Sequence, residues 1–310
     1  MKKIPYFDAH CDTLLRCRQN GWHLSENPGH VDLRRAGCFS AYAQFFAIYY
    51  DSAVPLSGSH FAETAAYRAL LMQELAGQAT QFCSSRRDVE AAAAAGKPAA
   101  LLSVEGGELL DCDPANLETA ADWGVQMLNL TWNHKNLLSG TNCQEPERGL
   151  SILGREFVRE AQRLHILMDV SHVSERGFWD LCEITEQPIV ASHSNSKAIC
   201  DHSRNLTDEQ FRAIAQSGGV AGLNLYANFI GGEADFPMLI RHLEHFLDLG
   251  GEDAVGLGGD LDGCETLCRG IGGIQDVPQL YAALEARGYG EALLHKIFWG
   301  NWLRVIRPGT

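Results

Sequence analysis

The sequence predicts an α/β protein, a (β/α)8 TIM barrel, and three observations predict it. Apolar runs of strand length recur eight times along 310 residues; most are followed by a polar or glycine-rich loop and a helical pattern; and the runs are apolar throughout rather than alternating. A strand that is apolar on both faces is covered on both faces, which means a parallel sheet wrapped by helices. The runs are IPYFDA (4–9), AYAQFFAIYY (41–50), AALLSVE (99–105), VQMLNLT (125–131), HILMDVS (165–171), PIVASH (188–193), GVAGLNLY (219–226) and AVGLGGD (254–260). Between them, segments 61–77, 155–164, 207–216 and 237–250 carry apolar residues at i, i+3 and i+4, and the AAAAA run at 91–95 reads as helix. A doubly wound sheet would announce a nucleotide with a glycine-rich first turn, yet the first run here ends in DAHCDT. The glycines of GLGGD come too late to serve. A typical domain of about 150 residues would divide the chain in two, but single barrels of about 250 residues and more are common. Residues 1–310 are therefore expected to form one barrel domain with C-terminal helices.

Composition narrows the partners. With 25 Lys+Arg against 39 Asp+Glu the net charge is −14, while 45% of residues are hydrophobic. A nucleic acid or an anionic membrane needs a basic face, so neither is expected. The amino terminus MKKIPYFDAHCDT has no apolar stretch of the kind a secretory signal requires, and no run reaches about 18 apolar residues. A cytoplasmic location is the expectation. The ten cysteines follow no repeating interval and read as reduced, mostly buried small hydrophobes. Cys264 and Cys268 form a C-x3-C with no second pair, a weak metal signal.

Barrel enzymes build their sites at the C-terminal ends of the strands. His10 and Asp12 end the first run, Glu105 the third, His172 the fifth, His193 the sixth and Asp260 the eighth, and His134 follows the fourth. Singly, each reads as an ordinary polar loop residue. Together they point to one face, whereas His60, His242, His245 and His295 sit in helical or loop patterns and read as solvated. Imidazole with carboxylate is a donor set for Zn2+ or a similar divalent ion, and H-x-D on a strand aims both side chains one way. The set is too large for one tetrahedral zinc with an open position and suits two ions about 3.5–4 Å apart. Glu105 is the natural bridge between them. Such a pair activates a water and polarises a carbonyl, the requirement for amide hydrolysis, and Asp260 would shuttle the proton to the leaving nitrogen.

DAHCDT, SVEGG, DVSHVS, ASHSN followed by RNLTDEQ, and GLGGDLDG occur in the order and approximate spacing of the renal (membrane) dipeptidase family of zinc dipeptidases. The chain resembles that family over nearly its whole length, including the closing segment GGIQDVPQLYAALEARGYGEALLHKIFWGNWLRVI. The resemblance implies an amidohydrolase-type barrel with two Zn2+, His10 and Asp12 on one, His172 and His193 on the other, Glu105 bridging, and Asp260 handling the proton. It also implies that Arg204 holds the substrate carboxylate, a task suited to a planar guanidinium. Two departures touch substrate recognition. Trp132 follows Thr131 where renal members carry a histidine, leaving His134 as the nearest substitute, and Phe229 falls where they carry a tyrosine. The renal members are secreted and lipid-anchored; this chain resembles a soluble bacterial-type member.

The function expected is that of a zinc-dependent dipeptidase in which a hydroxide bridging the metals attacks the peptide carbonyl. Substrates with a D-configured C-terminal residue belong to the expectation. Its alternatives are a binuclear amidohydrolase acting on a non-peptide amide or lactone, and a barrel kept as a binding protein. A homodimer is compatible with all of these.

Overall fold

The computed structural model describes residues 2–51, 54, 56 and 58–309. Among the described residues there are nine parallel strands: β1 Pro5–Cys11, β2 Ala41–Tyr49, β3 Gln81–Phe82, β4 Ala99–Glu105, β5 Val125–Asn129, β6 Leu167–Asp169, β7 Ile189–Val190, β8 Ala221–Leu223 and β9 Val255–Leu257. Their order is β7-β6-β5-β4-β2-β1-β9-β8, with β3 off this path beside β4. The two ends of the path meet at a bridge between Ala191 and Ala221, so eight strands form a nearly closed barrel. All eight runs read from the sequence supply a barrel strand. The ninth, β3, is a two-residue element that pairs with the start of β4 before β5 joins at Leu102.

The early runs keep nearly their full length, and the later ones do not. β2 and β4 are apolar and buried along most of their length, so every ladder position is used. The 165–171 run yields only three strand residues, because Asp169 Oδ1 accepts from the backbone N–H of both Ser171 and Ser192, 2.9 Å each, in place of ladder bonds. A side-chain acceptor that satisfies the backbone ends the strand.

Helices lie between the strands, and serine or threonine side chains cap several of them. Ser59, Ser85, Ser151, Ser174 and Thr207 accept from the third helical amide, the last in a capping box with Gln210. The alanine run lies in helix Arg86–Ala94, and the carboxyl-terminal segment is helical over Val277–Ala286, Glu291–His295 and Asn301–Val305. Trp299 and Trp302 from this segment join Phe7, Phe45, Met127 and Leu167 in a buried cluster. These strand residues precede the strand ends that carry the polar groups. One end of the barrel is thus filled with apolar packing and the other is free for chemistry.

Candidate active site

The C-terminal ends of the strands bring together His10, Asp12, Glu105, His172, His193, Arg204 and Asp260, all of them buried or nearly so. A β-bulge positions the first two. Asp8 pairs with Gln44 and Cys11 with Phe46, so β1 spends three steps where β2 spends two. The extra residue re-aims the strand and turns His10 toward Glu105. Asp8 stays behind, where its carboxylate accepts from the N–H of His10 at 2.9 Å and of Gly259 at 3.1 Å. It thereby ties the end of β1 to the loop that presents Asp260. A Cβ at Gly263 would collide with Asp12 Oδ2 and Asp260 Oδ1, so only glycine lets that loop pass both carboxylates. His172 and Asp260 hold left-handed backbone angles, φ 73° and 55°.

Glu105 lies at the centre, with its two oxygens facing different partners. Oε2 is 3.4 Å from His10 Nε2, which is itself 3.5 Å from Asp12 Oδ2. Oε1 is 3.1 Å from His172 Nε2 and 3.6 Å from His193 Nε2, and those two nitrogens are 3.0 Å apart. Their other ring nitrogens are engaged. Asn133 Oδ1 is 3.0 Å from His172 Nδ1, and an amide oxygen only accepts, so that ring carries its hydrogen on Nδ1. Ser192 Oγ stands 2.6 Å from His193 Nδ1 and can accept likewise. Both Nε2 lone pairs are left converging on a carboxylate oxygen, which is repulsive unless a cation lies among them. His10 has neither ring nitrogen hydrogen-bonded among the described residues, and Asp12 Oδ1 is unpartnered too. Buried polar atoms in this condition suit metal coordination. His10, Glu105 and His193 form one possible ligand group, and His10, Asp12 and Asp260 another.

Electrostatics follow from burial and mutual proximity. Burial lowers His172 and His193 well below the ordinary histidine range, helped by Arg204 and His10. Burial pulls His10 down as well, but Glu105 and Asp12 outweigh it and the ring ends well above that range. Burial pushes Glu105 up to about 7 and raises Asp260. Asp260 Oδ2 accepts from Asn224 Nδ2 at 3.0 Å, and the same amide nitrogen lies 3.3 Å from His193 O.

Asp12, Glu105, His172, Arg204 and Asp260 border a cavity of about 490 Å3, whose walls also include Tyr49, Trp132, His202, Tyr226 and Phe229. Arg204 is 5% exposed; its Nε and Nη2 have no hydrogen-bond partner among the described residues, and its Cζ lies 5.5 Å from the centre of the Phe229 ring. His134 is not brought to this cavity. Its Nε2 is 3.2 Å from Asp51 and its Nδ1 3.2 Å from the Gln144 amide nitrogen, while Trp132 takes the wall, 4.8 Å from Tyr49. His242, read as solvated, is in fact buried, accepting from Ser196 N–H and donating to Ile230 O. Asn133, Ser192, Asn224, Asp8, Asp169 and His202 belong to the site and were not singled out from the sequence. The ten cysteines are unpaired; Cys264 lines the cavity, and its thiol points to Asp260 O.

Comparison with known proteins identifies the chain's relatives. The family model for membrane dipeptidase, peptidase family M19, matches residues 1–308. A solved dipeptidase AC, a metallo peptidase of family M19, is 33% identical with a TM-score of 0.87, covering 98% of each chain. A metallo peptidase from Rhodobacter sphaeroides, liganded with a phosphinate mimic of the dipeptide L-Ala-D-Ala, is 32% identical with a TM-score of 0.87, covering 98% of this chain and 99% of that one. An uncharacterized Klebsiella pneumoniae protein in the pqqA 5′ region is 35% identical over 253 residues, 77% of this chain and 93% of its own length. With the match running nearly end to end, the chain belongs to the membrane dipeptidase family, peptidase family M19, and is a metallo-dipeptidase.

Proposed function

We propose that the chain hydrolyses dipeptides, including those with a D-configured C-terminal residue, with two Zn2+ held by His10 and Asp12 on one side and His172 and His193 on the other. Glu105 would hold both, one oxygen to each. What carries the reading is the split at Glu105, one oxygen toward His10 and the other toward the His172 and His193 pair. Nitrogen and carboxylate donors in this mixture suit zinc. When bound, such ions lower the pKa of a water towards neutrality and polarise the scissile carbonyl.

The remaining steps belong to the protein's own groups. Arg204, with Nε and Nη2 unpartnered and buried, takes the substrate's C-terminal carboxylate and so fixes which bond is presented. Asp260, raised by burial and held by Asn224, accepts the proton of the attacking water and delivers it to the departing amine nitrogen. Glu105, a carboxylate taken out of water and raised by burial, stays ionised only while paired with positive charge. The phosphinate mimic of L-Ala-D-Ala bound to the Rhodobacter sphaeroides relative supports an L,D substrate.

The test is metal analysis of the purified protein with a panel of L,L- and L,D-dipeptides against N-acyl amino acids and lactones. About two zinc ions per chain and turnover of dipeptides are expected. In Asp260→Asn, turnover should fall about 10²–10⁴-fold, the usual contribution of a positioned acid–base group, with metal content unchanged. Full turnover in that variant would remove Asp260 from the mechanism, and preference for lactones would redirect the substrate assignment.

A further inference from the structure

The loop that carries Arg204 also presents an imidazole to the cavity, and its hydrogen-bonding state is fixed by the chain itself. Arg204 N–H donates to His202 Nδ1 at 3.1 Å. A backbone amide can only donate, so Nδ1 is the acceptor and the neutral ring carries its hydrogen on Nε2. Protonating the ring would set an Nδ1–H against the Arg204 N–H. Burial and the Arg204 charge both hold His202 below the ordinary histidine range, in keeping with a neutral ring. Nε2 has no hydrogen-bond partner among the described residues, and His202 lines the cavity beside Arg204.

Phe229 braces both groups. Its ring centre lies 4.6 Å from that of His202 and 5.5 Å from Arg204 Cζ, and Tyr226 packs edge-on against it at 4.9 Å. A carboxylate offers about four lone-pair sites, and a guanidinium edge fills only two of them. An N–H on the same cavity wall, its ring packed on the same Phe229, is available to fill a third.

We propose that His202 is a substrate-binding residue, its Nε2–H joining Arg204 Nε and Nη2 on the substrate's C-terminal carboxylate. This rests on the reading of Arg204 given above. Together the two residues make the site selective for a free carboxylate over a neutral terminus, and Phe229 keeps both oriented without competing for the anion.

The experiment is steady-state kinetics on the zinc-loaded enzyme with a dipeptide and the same dipeptide carrying a C-terminal amide. His202→Phe keeps a ring against Phe229 but removes the donor, and His202→Gln restores an N–H near the position of Nε2. In His202→Phe the KM for the dipeptide should rise about 10-fold or more, the scale of a lost hydrogen bond to a charged group, with kcat changed much less. The preference for acid over amide should shrink by the same factor and be largely restored in His202→Gln. An unchanged preference in a folded His202→Phe enzyme, while Arg204→Met abolishes it, overturns the role of His202 and leaves that of Arg204 standing. A wild-type enzyme with no preference for the acid overturns both.

Discussion

At the scale of single residues, the site is a set of groups whose ordinary ionisation has been pulled apart, and cations should be taken up at the expense of protons. Burial raises Glu105 to about 7, so in metal-free protein it is protonated below that pH. Burial lowers His10, but Glu105 once ionised and Asp12 outweigh it and hold the ring well above the ordinary histidine range, whereas burial keeps His172 and His193 well below it. Ligands bind metal in their deprotonated forms, so binding must strip protons from Glu105 and His10 and none from the other two histidines. More protons should therefore be released at pH 6 than at pH 8, where Glu105 has already ionised. Zinc titration by calorimetry in buffers of different ionisation enthalpy counts them, and equal release at the two pH values would contradict the placement of Glu105 among the ligands. The proposed ligands were legible because one strand-like run after another ends in a His, Asp or Glu. Those that orient them were not. Asn133, Ser192, Asn224 and His202 are common loop residues whose roles depend on which atom faces which ring, and nothing in a linear spacing encodes that. His134 shows the converse, a histidine at a promising position that the loop turns toward Asp51.

At the scale of elements, two buried carboxylates pin neighbouring strand ends. Asp8 joins the end of β1 to Gly259, one residue before Asp260, and Asp169 joins Ser171 to Ser192, each one residue before a site histidine. The β6–β7 ladder has only two paired positions, so the Asp169 link is a large part of what aligns those ends. Asp169→Ala would leave two buried N–H groups unpaired, at about 1–3 kcal/mol each. Urea unfolding of the metal-free protein should show that loss, and zinc affinity should fall with it because both histidines follow the released backbone. Asp169→Asn keeps an acceptor oxygen and should recover most of both. An unchanged midpoint in Asp169→Ala would mean that the ladder alone holds β6 to β7. The same carboxylates explain where strand boundaries could be read. AALLSVE maps onto β4 without adjustment because nothing in it diverts the backbone, while Asp169, Ser171 and Asn224 cut the later runs short. The two-residue β3 has too few residues to form a pattern, and the bulge in β1 is a matter of pairing with β2, invisible in β1 alone.

At the scale of the whole molecule, the barrel closes at a short seam and the proposed metal site lies across its open end. β7 and β8 meet through the Ala191–Ala221 bridge, supplemented by a reciprocal amide pair in which Asn195 Nδ2 donates to Asn224 O and Asn224 N–H donates to Asn195 Oδ1. The proposed ligands come from the ends of β1, β4, β6 and β7, so a cation cluster would clamp half of the barrel strands to one another, including one side of the seam. A ligand that binds only the folded state stabilises it by about 4 kcal/mol at a thousand times its Kd. Removing it exposes the buried carboxylates to one another, in a chain already at −14. Chelator treatment should therefore lower Tm by several degrees, at about 2–4 °C per kcal/mol for a domain of 150–250 residues and less for a longer one. Zinc should restore the original Tm, and magnesium, which prefers six oxygen donors, should not. Scanning calorimetry on untreated, chelated and reconstituted protein decides it. A Tm indifferent to chelation would mean that the histidines and carboxylates converge without holding an ion in the folded state, whereas a loss reversed by zinc alone ties the stability of the barrel to the site at its mouth.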